Sequence, residues 1–122
     1  MKQHEIGPSE WSSFLDAFSR RHEGWLVTVE EFAAAGGPRI EAREVRLQGL
    51  FIDPREQTVS IVVGSGTGDH LTHTIGHPAR IVLEQSDSGR DEGLRIERQT
   101  GRSTHIRFRA PARPDEVDGR MA

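Results

Sequence analysis

The chain has 122 residues, with 19 acidic and 16 basic side chains and a net charge of −3. That length suits one domain, and the missing basic excess argues against a sequence-independent nucleic-acid binder, which works by neutralising phosphates. There is no cysteine, which removes disulfides, thiolate nucleophiles, iron–sulfur clusters and cysteine-based zinc sites.

Residues 1–7 are polar and lack the apolar stretch of a secretion signal. No apolar run approaches the roughly 20 residues of a membrane-spanning helix. A cytoplasmic address is therefore expected. One lysine stands against fifteen arginines, and asparagine and tyrosine are absent. The missing residues have AT-rich codons, so a GC-rich bacterial gene is expected.

A helix is expected to start at Gly7-Pro8-Ser9-Glu10, with Ser9 as its cap. Trp11, Phe14, Leu15 and Phe18 then fall on one helical face. Arg20, Arg21 and His22 stand near the negative end of the helix, and Gly24 is the expected stop. Beyond it the pattern alternates with period two, the mark of a strand with one buried face.

Strands are expected at 25–29, 39–52, 58–63, 70–75, 79–85, 94–99 and 103–109. The segment 39–52 changes parity, since Ile40 and Ala42 alternate out of phase with Val45, Leu47 and Phe51. That change predicts a bulge near Arg43-Glu44. The breaks are turn-rich: 33–38, Asp53-Pro54, the glycine loop 64–68, Gly76-His77-Pro78, 87–93 and Thr100-Gly101-Arg102.

No helical pattern separates the strands, so parallel crossovers are not expected. The expected fold class is α+β: an N-terminal amphipathic helix packed on a six- or seven-stranded antiparallel meander, barrel-like or strongly curved. Residues 1–109 form the single domain, and 110–122, with Pro111 and Pro114 and no periodicity, form a loose tail.

Three histidines and an aspartate between Asp69 and His77 invite a metal reading. On a strand, residues four apart are separated by about 13 Å, whereas zinc–nitrogen bonds are about 2.1 Å. A site would need the turn at His77 to fold back, or His105 to arrive from another strand. Without that, His70 is solvated and His73 packs beside Leu71 and Ile75. The metal set is thus His73, His77, His105 and Asp69. A wider ligand-binding set is His70, His73, His77 and His105 with Arg95 and Arg107. Those two arginines could line a basic groove, or pair with acids such as Glu97 on a solvated face.

The glycine loop 64–68 lacks the following helix and lysine of a phosphate cradle. The acids Glu84, Asp87, Asp91 and Glu92 lack calcium-loop spacing and read as a solvated turn. No serine sits in a nucleophile elbow, and no cofactor motif is evident.

Several phrases are distinctive in combination. They are Trp11 with Phe14-Leu15-Asp16 and the run from Phe18 to Val27, Asp69-His70-Leu71-Thr72-His73-Thr74-Ile75, Leu83-Glu84-Gln85, Asp91-Glu92-Gly93-Leu94-Arg95-Ile96-Glu97 and Ile106-Arg107-Phe108-Arg109. Together they resemble a family of small bacterial proteins of unknown function, domain-of-unknown-function family 5335, over nearly the whole chain. The resemblance implies a small bacterial domain and carries no activity, ligand or catalytic residue.

The residues leave the function unknown and lean away from catalysis. They favour a small binding or protein-interaction module, with a protein partner or a second copy as its target, no nucleic acid and no membrane. The alternative is a metal- or small-ligand-binding barrel, possibly an enzyme, that uses the histidine cluster.

Overall fold

The computed structural model describes residues 2–33, 36–64 and 70–109. The helix α1 spans Trp11–His22. The strands are β1 Lys2–Ile6, β2 Leu26–Phe32, β3 Pro38–Asp53, β4 Thr58–Gly64, β5 His70–Gly76, β6 Pro78–Gln85, β7 Asp91–Arg98 and β8 Ser103–Phe108. Asp69, most of the glycine loop and the tail expected over 110–122 lie outside the described residues.

The class is the expected one, a helix on an antiparallel sheet, but among the described residues the sheet has eight strands rather than six or seven. The additional strand is β1. It is exposed at every position but its last, so it carries no alternating apolar signal. Its pairing with β6, from Lys2 opposite Gln85 to Ile6 opposite Ile81, is what makes it a strand.

The strand order is β1-β6-β7-β8-β2-β3-β4-β5. Strands β2 to β5 form one meander and β6 to β8 another, joined where β8 pairs with β2. The sheet is not closed: among the described residues, β1 and β5 each pair on one side only. Yet β5 runs into β6 through the single residue His77, so the sheet curls until β5 reaches β6, one strand in from the opposite edge.

The long strand β3 serves both halves. Its first part pairs with β2 and its last part with β4. The expected bulge is present: Val27 faces Val45 and Val29 faces Ala42, leaving Arg43 and Glu44 opposite Thr28. Glu44 takes a left-handed φ of 50°, and its amide donates to the Thr28 hydroxyl at 3.3 Å. The bulge sets Ala42 opposite Val29 and Val45 opposite Val27, but two further register shifts, at Glu41 and Gln48, leave Ile40 and Phe51 exposed rather than in phase with their expected neighbours.

The helix starts differently from expectation. Pro8–Glu10 forms a 3-10 turn, and α1 begins at Trp11 without a side-chain cap, so Ser9 does not cap it. Gly24 ends the helix as expected, at φ +86°. Leu15 and Phe18 are buried with Val27, Val29, Leu47, Ile61 and Ile106, while Trp11 and Phe14 pack against that core. The Trp11 indole donates to the Ile6 carbonyl at 2.9 Å, tying β1 to the helix.

The register from β2 to β3 ends at Leu26 and Arg46, which leaves the last part of β3, among the described residues, with no strand on that side. Helix α1 occupies the gap. The Ser19 hydroxyl donates to the Leu50 carbonyl at 3.1 Å and accepts from the Leu50 amide at 2.7 Å. One hydroxyl thus stands in for a missing strand at a fully buried position. Ser19→Ala would leave both backbone groups unpaired and is expected to cost about 2–3 kcal/mol, read as a lower urea midpoint at unchanged m-value. An unchanged midpoint would show that Ser19 does not hold that strand.

Candidate interaction surface

The curled sheet has a charged outer face. Arg80 on β6 bridges Glu5 on β1 and Glu97 on β7, at 3.2 Å each. Arg95 on β7 lies 3.2 Å from Glu84 and 2.9 Å from Glu97. Its buried Nε has no acceptor in line, so the Glu97 contact is ionic rather than a directed hydrogen bond. Arg107 on β8 donates to Glu30 on β2 at 3.0 Å. Signs alternate across five strands, and the two arginines of the expected ligand set are paired with glutamates.

His105 lies on the same outer face, opposite Arg95 on one side and Glu30 on the other. Its ring packs on Phe32 at 4.4 Å, and its Nε2 meets the Ser103 hydroxyl at 3.3 Å. Burial pushes its pKa down; the nearby Glu84 and Glu30 pull it up, and Arg95 and Arg107 pull it down again.

The other histidines go elsewhere. His70 is exposed at the start of β5, and His77 is exposed at the corner with a left-handed φ of 52°. His73 pairs with the inward-facing Ile61 and so faces the inside of the curl, opposite to His105. Among the described residues, no group of three histidine, aspartate or glutamate side chains is placed to hold a metal ion.

His73 meets a different partner. Its Nε2 lies 3.6 Å from Glu31 of β2. Arg102 and Arg98 approach the same carboxylate at 3.7 and 3.9 Å, and the Arg98 Nε donates to the Gly76 carbonyl at 3.1 Å. A nearly buried glutamate therefore anchors β5 to β2 and to the β7–β8 turn.

A second inward polar pair carries no motif in the sequence. His22, only 3% exposed, places Nε2 3.0 Å from Asp91 and directs Nδ1 to the Phe18 carbonyl at 2.8 Å. Both nitrogens thus face oxygen atoms. The ring lies between Phe18, Trp25 and Phe108, at centroid distances of 4.3, 4.6 and 4.7 Å.

Asp91 was expected in a solvated turn, but it is the first residue of β7 and faces inward. A register shift leaves Glu92 unpaired, setting Glu84 opposite Gly93 and Gln85 opposite Asp91, and the bulge re-aims the side chain. A side chain at Gly93 would meet the Ile106 carbonyl at 2.5 Å, so only glycine fits there. Burial raises the Asp91 carboxyl pKa, but hydrogen bonds from His22 and Gln85 and the charges of His22 and Arg21 outweigh it and hold it at about 2. The signal for His22 was present: it lies four residues after Phe18 and continues the apolar stripe of α1.

Among the described residues, one edge of β5 pairs with no strand. His70, Leu71, Thr72 and Thr74 are exposed, and the strand holds no lysine, arginine, aspartate, glutamate or proline. Leu71 is 53% exposed. The His77 amide donates to the Gln57 carbonyl at 2.8 Å. By the alternation of an antiparallel ladder, residues 75, 73 and 71 bond to β4, and 70, 72, 74 and 76 turn their amides and carbonyls outward, the Gly76 carbonyl toward Arg98.

The model of a family of unknown function, DUF5335, matches residues 2–117. The chain belongs to this family. No curated protein and no solved structure matches it. The DUF5335 assignment supplies no ligand or reaction, so the geometry alone bears on the role of this surface.

For Asp91 the pH sign is fixed by its depressed pKa. Its contribution to stability is complete above the ordinary value near 3.8 and is lost as pH falls through about 2. Asp91→Ala is expected to cost about 3 kcal/mol at pH 6, because it strands a buried imidazole. The gap between wild type and variant should narrow as pH drops from 4 to 2, read as urea midpoints. A gap that stays constant over that range would remove the carboxylate from the account.

Proposed function

We propose that this DUF5335 chain is a non-catalytic protein-interaction module that takes an extended protein segment as an added strand along β5. The observation that carries the reading is the edge of β5, unpaired among the described residues: four exposed residues, no charged side chain of its own, and outward amides and carbonyls at 70, 72 and 74, with Arg98 engaging the carbonyl at 76. Natural sheets blunt an edge strand with charge, proline, a bulge or brevity, because unpaired backbone groups recruit another strand. The opposite edge, β1, is blunted in that way, with five residues that include Lys2 and Glu5. Edge β5 has seven residues and none of those devices.

The anchoring of β5 supports the same reading. Glu31, Arg98 and the His77 corner hold its inner side and its end, so the edge is a preformed template. A partner strand would gain backbone hydrogen bonds without first ordering the receptor. The reading carries a bacterial cytoplasmic setting, favoured by the cysteine-free, arginine-rich composition. No helix among the described residues is long and apolar enough to cross a membrane.

The test uses a synthetic octapeptide of alternating valine and threonine. Added to the isotopically labelled chain, it is expected to shift the backbone amide signals of 70–76 more than those of β1. Thr72→Pro, which removes an outward amide and places a ring at the edge, is expected to weaken binding at least tenfold while leaving the far-UV spectrum intact. Shifts spread evenly over the surface, or a Thr72→Pro variant that binds equally well, would discard the reading.

A further inference from the structure

We infer that the strand added at β5 is β5 of a second copy of this chain, related by a two-fold axis at His73. This rests on the strand-edge reading and names its partner. The outward backbone groups belong to residues 70, 72, 74 and 76, given the His77 amide bonded to Gln57. An antiparallel pair of identical strands must set outward residues opposite outward residues. The register centred on His73 does so, with 72 opposite 74 open on both sides and 70 opposite 76, where the Gly76 carbonyl already accepts from Arg98. Registers centred on 72 or 74 also match outward groups but lose part of the overlap.

Side chains favour the same register. On the inner face, Leu71 lies opposite Ile75 of the partner subunit. This gives the exposed Leu71 an apolar neighbour at the position where β5 is otherwise uncovered. On the outer face, Thr72 lies opposite Thr74 of the partner subunit, a cross-strand pairing of β-branched hydroxyl residues. The strand carries no lysine, arginine, aspartate or glutamate, so two copies bring no such like charges together. A C2 interface requires a self-complementary patch of this kind.

The same self-pairing at β1 fails. Antiparallel pairing centred on His4 would set Lys2 opposite the second Ile6 and Gln3 opposite the second Glu5, with no apolar pair on either face. Joined through β5, the two eight-stranded sheets become one sheet running through the axis.

The absence of cysteine allows a direct test. Paired residues in an antiparallel ladder have Cα atoms about 5.5 Å apart or less, within disulfide range. Thr72→Cys and Thr74→Cys are made separately, with differently sized tags. Under mild oxidation the mixture is expected to give the mixed disulfide in large excess over either variant alone. Sedimentation velocity on the wild type is expected to show a concentration-dependent dimer, and Thr72→Pro a monomer. Two results overturn the inference: a wild type that stays monomeric to about 1 mM, or a dimer unaffected by Thr72→Pro. Preferential Thr72–Thr72 or Thr74–Thr74 cross-links would overturn the register. A monomer whose β5 signals still respond to the octapeptide loses the second copy but keeps the strand-edge function; a monomer that ignores the octapeptide loses both.

Discussion

One covalent constraint shapes the molecule: β5, at one edge of the sheet, continues into β6, next to the opposite edge, through His77 alone. Six strand spacings separate these two in the sheet order, which in a flat sheet is about 29 Å. From Gly76 to Pro78 the backbone can span only about 7 Å. The sheet has to curl. His77 adopts a left-handed backbone conformation, costly for a residue with a side chain. The corner repays it with bonds on both sides: its amide donates to Gln57, and its carbonyl accepts from Gln99.

Curling creates an inside, and the inside explains the helix and the polar pairs. Apolar side chains of α1 fill the concavity, and the Ser19 hydroxyl completes the backbone of β3 where no strand can follow. His22 with Asp91 and Glu31 with His73 lie where inward-facing positions are not filled by carbon. Outside, arginine and glutamate alternate from β1 to β2. Such exposed pairs contribute little stability individually, but they leave that face balanced and make the uncharged β5 a different kind of surface.

A residue's neighbours along the chain explain some of these features and its neighbours in space explain others. The bulge at Arg43-Glu44 was legible because it shifts the phase of a long alternation, a local signal. Strand β1 was not, because both of its faces are wet and its hydrogen bonds depend on a strand about 80 residues later. Asp91 read as a loop residue because the bulge at Glu92 that turns it inward is defined against β6. His22 was nearly legible as an extension of the helical stripe, but a histidine beside two arginines at a helix end reads equally well as a dipole partner.

By itself, the sequence determined the class, the helix and its buried face, seven of the eight strands and the absence of cysteine chemistry. Those features rest on periodicity, turn residues and composition, which act over a few residues or over none. The tertiary structure alone decided which histidines meet which acids. His73 and His105, candidates for one site, lie on opposite faces of the sheet, and Glu31 reaches His73 only because the His77 corner folds the sheet over. It also decided that, among the described residues, β5 ends the sheet. An edge is a property of what fails to pair, and no stretch of chain encodes that on its own.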